Sequence, residues 1–162
     1  MLIRSLIVAC ALAVAACTPQ NTAEPGAPDS GVSQHPISNL DIVPLTVTSG
    51  DQKHQFQVEV ARTAENQRMG LMHRTDLGPN EGMIFPRDPP DLASFWMRNT
   101  VISLDIIFVG EDGRILNIGA NTVPLSLDGV DAAGLTSLVL EIPGGRAAEL
   151  GIDAGDLVEW QQ

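Results

Sequence analysis

Residues 94–109 read Ser94-Phe95-Trp96-Met97-Arg98-Asn99-Thr100-Val101-Ile102-Ser103-Leu104-Asp105-Ile106-Ile107-Phe108-Val109. This stretch decides the fold class. It holds Phe95-Trp96, the only adjacent aromatic pair in a chain with 4 Phe, 2 Trp and no Tyr. Large side chains dominate core energetics, so a core with few aromatics gathers around those it has. Beyond Asn99-Thr100 the pattern has a period of two: Leu104, Ile106 and Phe108 face one way, Asp105, Ile107 and Val109 the other. Both faces are apolar, so this strand draws its one carboxylate into burial.

Working outward, Leu92 to Arg98 and Val101 to Val109 read as two strands joined or kinked at Asn99-Thr100. Upstream, Ile42 to Thr48 and Lys53 to Ala61 form a hairpin around Ser49-Gly50-Asp51. Its second strand places Phe56, Val58 and Val60 on one face and Gln55, Gln57 and Glu59 on the other, the pattern of a half-buried antiparallel strand. Thr63 is an N-cap for a helix over Ala64 to Met72, with Glu65 favoured by the dipole in its first turn; Gly70 ends that helix or marks a close approach. Met83-Ile84-Phe85 is a short strand cut by Pro86, and Pro89-Pro90 imposes an irregular segment. Downstream, Glu111-Asp112-Gly113 turns into Arg114 to Thr122. A loop over Pro124 to Gly134, a strand over Leu135 to Ile142, a helical turn over Arg146 to Leu150 and a last strand over Asp156 to Trp160 complete the chain. About seven or eight short strands with one or two short helices predict a mainly β (α+β) domain, a small, strongly curved antiparallel sheet or partly closed barrel.

The 162 residues divide into three parts. Residues 1–16 have the form of a signal peptide: Arg4, then the apolar run Leu6 to Val14, too short for the roughly 20 residues that span a bilayer. Val14-Ala15-Ala16-Cys17 resembles a bacterial lipobox, which makes Cys17 the lipidated first residue of the mature chain and the membrane its partner. Residues 17–40 read as a disordered tether rich in Pro, Gly, Ser and Asn, with His35 solvated. The single domain is expected over 41–162. Cys10 leaves with the signal, so no thiol remains in the domain for a disulfide, a nucleophile or a thiolate metal site. The formal net charge of −11 argues against a nucleic-acid partner, whose phosphates demand cations.

Five blocks occur in order: Gly-Leu-Met-His-Arg (70–74), Gly-Met-Ile-Phe (82–85), Phe-Trp-Met-Arg-Asn-Thr (95–100), Ser-Leu-Asp-Ile-Ile-Phe (103–108) and Leu-Val-Leu-Glu-Ile-Pro-Gly-Gly (138–145). On these the chain resembles the DUF192 family, a domain of unknown function, over about Leu45 to Trp160. The resemblance implies a compact β-rich fold, often secreted or membrane-tethered, and brings no activity, substrate or catalytic residue. Ser103 stands where the family usually has proline, a local departure at the strand entry.

Asp105 and Glu141 each sit within an apolar strand. A buried acid is paired, hydrogen-bonded or neutralised. Two such acids could serve as a general acid/base pair if they approach one another; alternatively each holds an arginine (Arg68, Arg74 or Arg98) or loop amides. Trp96 could wall a pocket with Asn99 and Thr100 at its rim, or simply cover an apolar face. Met69, Met72, Met83 and Met97 with His73 suggest a thioether metal site, but without a close Met/His repeat they read as core fillers. His54 and His73 are isolated and give no zinc site, and no metal or other cofactor is expected. Gly144-Gly145-Arg146 could offer amides to an anion, or form a plain turn.

Together these features point to an envelope lipoprotein facing the periplasm, with the outer membrane favoured because Thr18 replaces the Asp associated with inner-membrane retention. Its expected role is an accessory module binding a small polar ligand or an envelope protein near Arg74, Trp96, Asn99, Thr100, Asp105 and Glu141. The alternatives are an envelope hydrolase or lyase using Asp105 and Glu141, and a purely structural protein; the sequence leans away from an enzyme.

Overall fold

The computed structural model describes residues 33–161. The segment expected to be a signal peptide, Cys17 and the expected tether up to residue 32 lie outside the described residues. Within them no helix is long and apolar enough to cross a membrane.

The apolar run after Thr100 becomes β5 (Leu104–Val109), every residue of which is buried. It is flanked by β6 (Ile115–Gly119) and β7 (Val130–Pro143), both antiparallel to it. The remaining strands are β1 (Ser33–Gln34), β2 (Asp41–Ser49), β3 (Gln52–Val60), β4 (Glu81–Phe95) and β8 (Leu157–Trp160). They form an eight-stranded sheet of order β1-β2-β3-β4-β7-β5-β6, with β8 beside β1 on the outer edge of β2. Helix α1 (Ala64–Met69) and helix α2 (Arg146–Leu150) are short.

The sheet is mixed, which corrects the expectation of an antiparallel one. β3 and β4 pair in parallel, Val58 with Gly82 and Val60 with Ile84. A parallel pair needs a crossover that returns the chain to the same end, and residues 61–80 with α1 supply it. The sheet is also open. A single bridge, Arg114 to Leu157, links its far edge to β8, with the Ile115 N–H donating to the Asp156 carbonyl at 2.9 Å and the Val158 N–H to the Gly113 carbonyl at 2.8 Å.

Because β5 and β7 are apolar on alternate residues, the sheet carries a core on each face. One gathers Leu45, Val47, Phe56, Val58, Ile84, Ile107, Leu140 and Ile142, with Ala147 of α2. The other gathers Leu71, Met83, Phe85, Met97, Leu104, Ile106, Phe108 and Val139. Phe95 meets Phe85 and Phe108 edge-on, with ring centroids 5.1 and 6.1 Å apart. The aromatic pair thus divides: Phe95 joins this second core while Trp96 stays half-exposed.

Helix α1 ends at Met69, short of Met72, and β6 at Gly119, short of Thr122; four further boundaries differ from the sequence reading. β4 continues through Pro86, Pro89 and Pro90: Pro86 ends the first register opposite Leu138, and Pro89 and Pro90 fall within the shift before Asp91, where no ladder bond is required of them. β7 begins at Val130, not Leu135, pairing with Phe95. Residues 96–103 are a loop, not the end of one strand and the start of another; the Met97 N–H donates to Ser126 and the Leu125 N–H to Thr100, lacing it to the loop over 120–129. Order also starts before Asp41: β1 pairs with Ile42 and Asp41, and His35 is held against Arg74 where a solvated His35 was expected.

Candidate functional site

Glu141 is the residue from which the site is built. On β7 it shares the face of Val139, opposite Met83 of β4 and Ile106 of β5. Its apolar surroundings leave it 5% exposed, and among the described residues its carboxyl has no hydrogen-bond partner. Burial pushes its pKa up to about 8, so at pH 7 it is largely a neutral acid able to donate one hydrogen bond. Glu141 lines a cavity of about 250 Å³ that is also bounded by Gln67, Arg68 and Gly70 at the end of α1, by Phe85 and Arg87 of β4, and by Trp96 and Thr100.

Local sequence explains each wall. Thr63 Oγ1 accepts from the Asn66 N–H and starts α1; Gly70, at the left-handed φ of 48° that favours glycine, ends it beside the Phe85 ring. The Gln67 side chain ties α1 to the sheet by donating to the carbonyls of Ala61 and Pro86 at 3.2 and 2.8 Å. Arg87 forms a fork with Asp91, and this pairing holds the Asp91 carboxyl below its usual pKa. The Arg98 guanidinium stacks 5.5 Å from the Trp96 ring centre. A second groove, continuous with the first through Arg68, Met69, Met72 and Trp96, is completed by Glu65, His73, Arg98 and Asn99.

Asp105 is elsewhere. In register it opposes Ile142 while Glu141 opposes Ile106, so the two acids project from opposite faces of the sheet. The proposed acid/base pair is thereby corrected: no cleft is shared between them. Asp105 is wholly buried and accepts three backbone N–H groups, from Asn121 at 2.7 Å, Gly145 at 2.9 Å and Ala147 at 2.8 Å. One of these, the Gly145 amide, belongs to the Gly144-Gly145-Arg146 turn, which here serves the protein's own aspartate.

Arg74 is also outside the cleft. It donates to both oxygens of Glu59 at 2.8 Å, the two side chains being 11% and 4% exposed. Ser38 donates a further hydrogen bond to Glu59, and the His35 ring lies 3.3 Å from the guanidinium. Glu59 and this cluster were missed in the sequence, where Glu59 continues the polar face of Gln55 and Gln57. The signal was indirect, in Arg74 of the first block and the position of Glu59 at the strand end.

Of the sequence-predicted residues, the structure brings together Trp96, Thr100 and Glu141, places Asn99 on the adjoining groove, and separates Arg74 and Asp105. Met83 and Met97 are core residues, whereas Met69 is exposed and lines both grooves with Met72. Among the described residues no group of three His, Cys, Asp or Glu side chains is placed to hold a metal ion.

The family model described as "Uncharacterized ACR" (DUF192) matches residues 45–160. The chain belongs to the DUF192 family. Two solved structures share its fold. One, a protein of unknown function from Novosphingobium aromaticivorans DSM 12444, is 58% identical, with a TM-score of 0.79 over 82% of this chain and 94% of that one. The other, from Sinorhizobium meliloti 1021 and provisionally described as a transcription regulator, is 30% identical, with a TM-score of 0.73 over 75% of this chain and 95% of that one. No curated protein matches the chain. All five sequence blocks lie within the DUF192 match, and four of them (70–74, 82–85, 95–100 and 138–145) contribute directly to the Glu141 cleft.

Proposed function

We propose that this DUF192 chain is a lipid-anchored envelope module, tethered through Cys17 and facing the periplasm from the outer membrane, that binds a small polar ligand in the Glu141 cleft. One observation carries the reading: a buried carboxyl without a protein partner lines an open cavity beside an exposed tryptophan. The Glu141 oxygens open onto the cavity, and no group among the described residues takes its hydroxyl proton. A ligand that accepts that proton supplies the hydrogen bond the fold does not. A pocket with an aromatic wall and a few convergent polar groups is the usual form of a small-molecule site. The cavity is slightly below the roughly 300–1,000 Å³ of drug-sized sites, which suits a metabolite-sized ligand.

The anchor rests on the lipobox-like Val14-Ala15-Ala16-Cys17 and the outer-membrane placement on Thr18. The regulator description of the Sinorhizobium relative transfers poorly, because a net charge of −11 opposes phosphate contacts. An acid/base hydrolase is not carried forward, since its second carboxylate is consumed by amides on the other face.

The test is native mass spectrometry of the full chain, extracted gently from its own membranes, beside the Trp96→Ala and Glu141→Leu variants. The wild type is expected to carry a stoichiometric adduct that both variants lose while remaining folded by circular dichroism. A wild-type chain that is folded, empty and indistinguishable from its variants refutes the reading.

A further inference from the structure

The charge around the cleft is opposite to that of the protein. The chain has 20 acidic residues against 9 Lys and Arg, yet the cations Arg68 and Arg87 line the Glu141 cavity and Arg98 the groove beside it. Arg87 is shared with Asp91, whereas Arg68 is exposed and forms no ion pair among the described residues. The nearby acids are few: Glu65 lines the adjoining groove only, and Glu59, one position beyond Met83 in the same cross-strand row, is committed to Arg74. Glu141 itself is surrounded by Phe85, Met83 and Ile106, where a second charge would be costly. The site is therefore polar at both ends and apolar between them: an exposed cation at the rim, aromatic walls, and an uncharged donor at the floor.

We infer that the cleft takes a small organic anion whose charged head meets Arg68 and Arg87, whose apolar body lies against Trp96 and Phe85, and whose inner end is an uncharged acceptor for the Glu141 hydroxyl. The inference rests on the reading of the cleft as a ligand site and specifies its chemistry. A cationic ligand meets Arg68 at the rim with like charge. An anion that reaches the floor with its charge loses hydration where only one donor is offered. Charge outward and neutral acceptor inward satisfies both ends.

Three probes of similar shape separate the possibilities: N-acetyl-γ-aminobutyrate with an anionic head, its primary amide with a neutral head, and N-acetylputrescine with a cationic head. Each carries an acetamide carbonyl at the other end and methylenes between. They are titrated by calorimetry into the full chain in detergent. The acid is expected to bind most tightly. Arg68→Gln is expected to weaken the acid about tenfold while leaving the amide unchanged, the loss of one charge-assisted hydrogen bond. Acid binding should decline as pH rises through about 8, where Glu141 ionises and stops donating, and this decline should vanish in Glu141→Gln, whose amide donates at every pH. N-acetylputrescine or the amide binding as tightly as the acid, or Arg68→Gln without effect on the acid, overturns the anion assignment and leaves the cleft standing as a ligand site. Failure of all three to bind at millimolar concentration overturns the anion assignment, and a wild-type chain that is also empty of any native adduct overturns the ligand reading with it.

Discussion

Replacing Glu141 with glutamine is the substitution whose consequence can be worked most fully from the structure. The unfolded carboxyl titrates near 4.5 and the folded one near 8. Between these values the native state holds a proton that the unfolded state has released. Stability therefore falls as pH rises through that window, the opposite of a salt-bridged acid. Each pH unit removes about 1.4 kcal/mol. From pH 4.5 to 7 the loss is about 3 kcal/mol, and it reaches about 5 kcal/mol once the pH has passed 8. Glutamine has nearly the same shape, fills the same space and does not titrate. The variant's stability relative to wild type should thus rise by about 3 kcal/mol between pH 4.5 and 7, whatever the two proteins share in their other titrations.

Urea denaturation at a series of pH values, followed by tryptophan fluorescence, measures this difference directly. The quantity of interest is the pH slope of the gap between the two proteins, because a constant offset reports only the packing of an amide against a carboxylic acid. A gap independent of pH from 5 to 8 refutes the reasoning, for it means that Glu141 ionises as easily when folded as when unfolded.

Other substitutions test the remaining polar centres by the same denaturation assay. Arg74→Met leaves the Glu59 carboxylate buried without its cation and is expected to cost about 3–5 kcal/mol, while the double change with Glu59→Leu should recover most of that loss. Asp105→Ala strands three N–H groups, that of Ala147 fully buried and those of Asn121 and Gly145 partly so, and should cost about 3 kcal/mol, without altering adduct binding at the Glu141 cleft. Gly82→Ala places a Cβ 2.5 Å from the Glu141 carbonyl oxygen, across a strand pair that cannot separate without losing its ladder, and should destabilise by at least about 1–3 kcal/mol.

The sequence made the centre of the fold legible because β5 has no competing reading: six residues, apolar on both faces, cannot be a loop or a one-sided strand. The β2–β3 hairpin, the capped start of α1 and the part of β7 from Leu135 onward were readable for the same local reasons. What was hidden depends on contacts between distant residues. Prolines in β4 read as breaks because local sequence does not show that the partner strand slips register beside them. Parallel pairing of β3 with β4 follows from where the crossover lands. Glu59 reads as exposed because it alternates with Gln55 and Gln57; only the docking of residues 35–38 and Arg74 over the end of β3 buries it. For the site, Trp96, Thr100 and Glu141 could be nominated from composition and period, whereas Arg68, Arg87 and Gln67 gain meaning only from α1 lying across β4.

Asp105 and Glu141 looked equivalent in sequence, and their difference in the fold is what locates the site. Both are acids in apolar strands and both lose hydration when the sheet forms. At Asp105 the chain supplies two amides, of Gly145 and Ala147, by turning sharply at Gly145, φ 82°, into α2, and a third from Asn121, so its oxygens are satisfied from within. At Glu141 nothing comparable approaches: the adjacent positions in its row are Met83 and Ile106, and the space above it remains open. Leucine at Glu141 would serve folding better, since it would bury without desolvating a carboxyl. The acid at this position is therefore a stability cost that the fold itself does not offset, and the open cavity in front of it is where an offsetting partner can enter. A purely structural role accounts for Asp105 and for the Glu59–Arg74 pair; it leaves Glu141 without a reason.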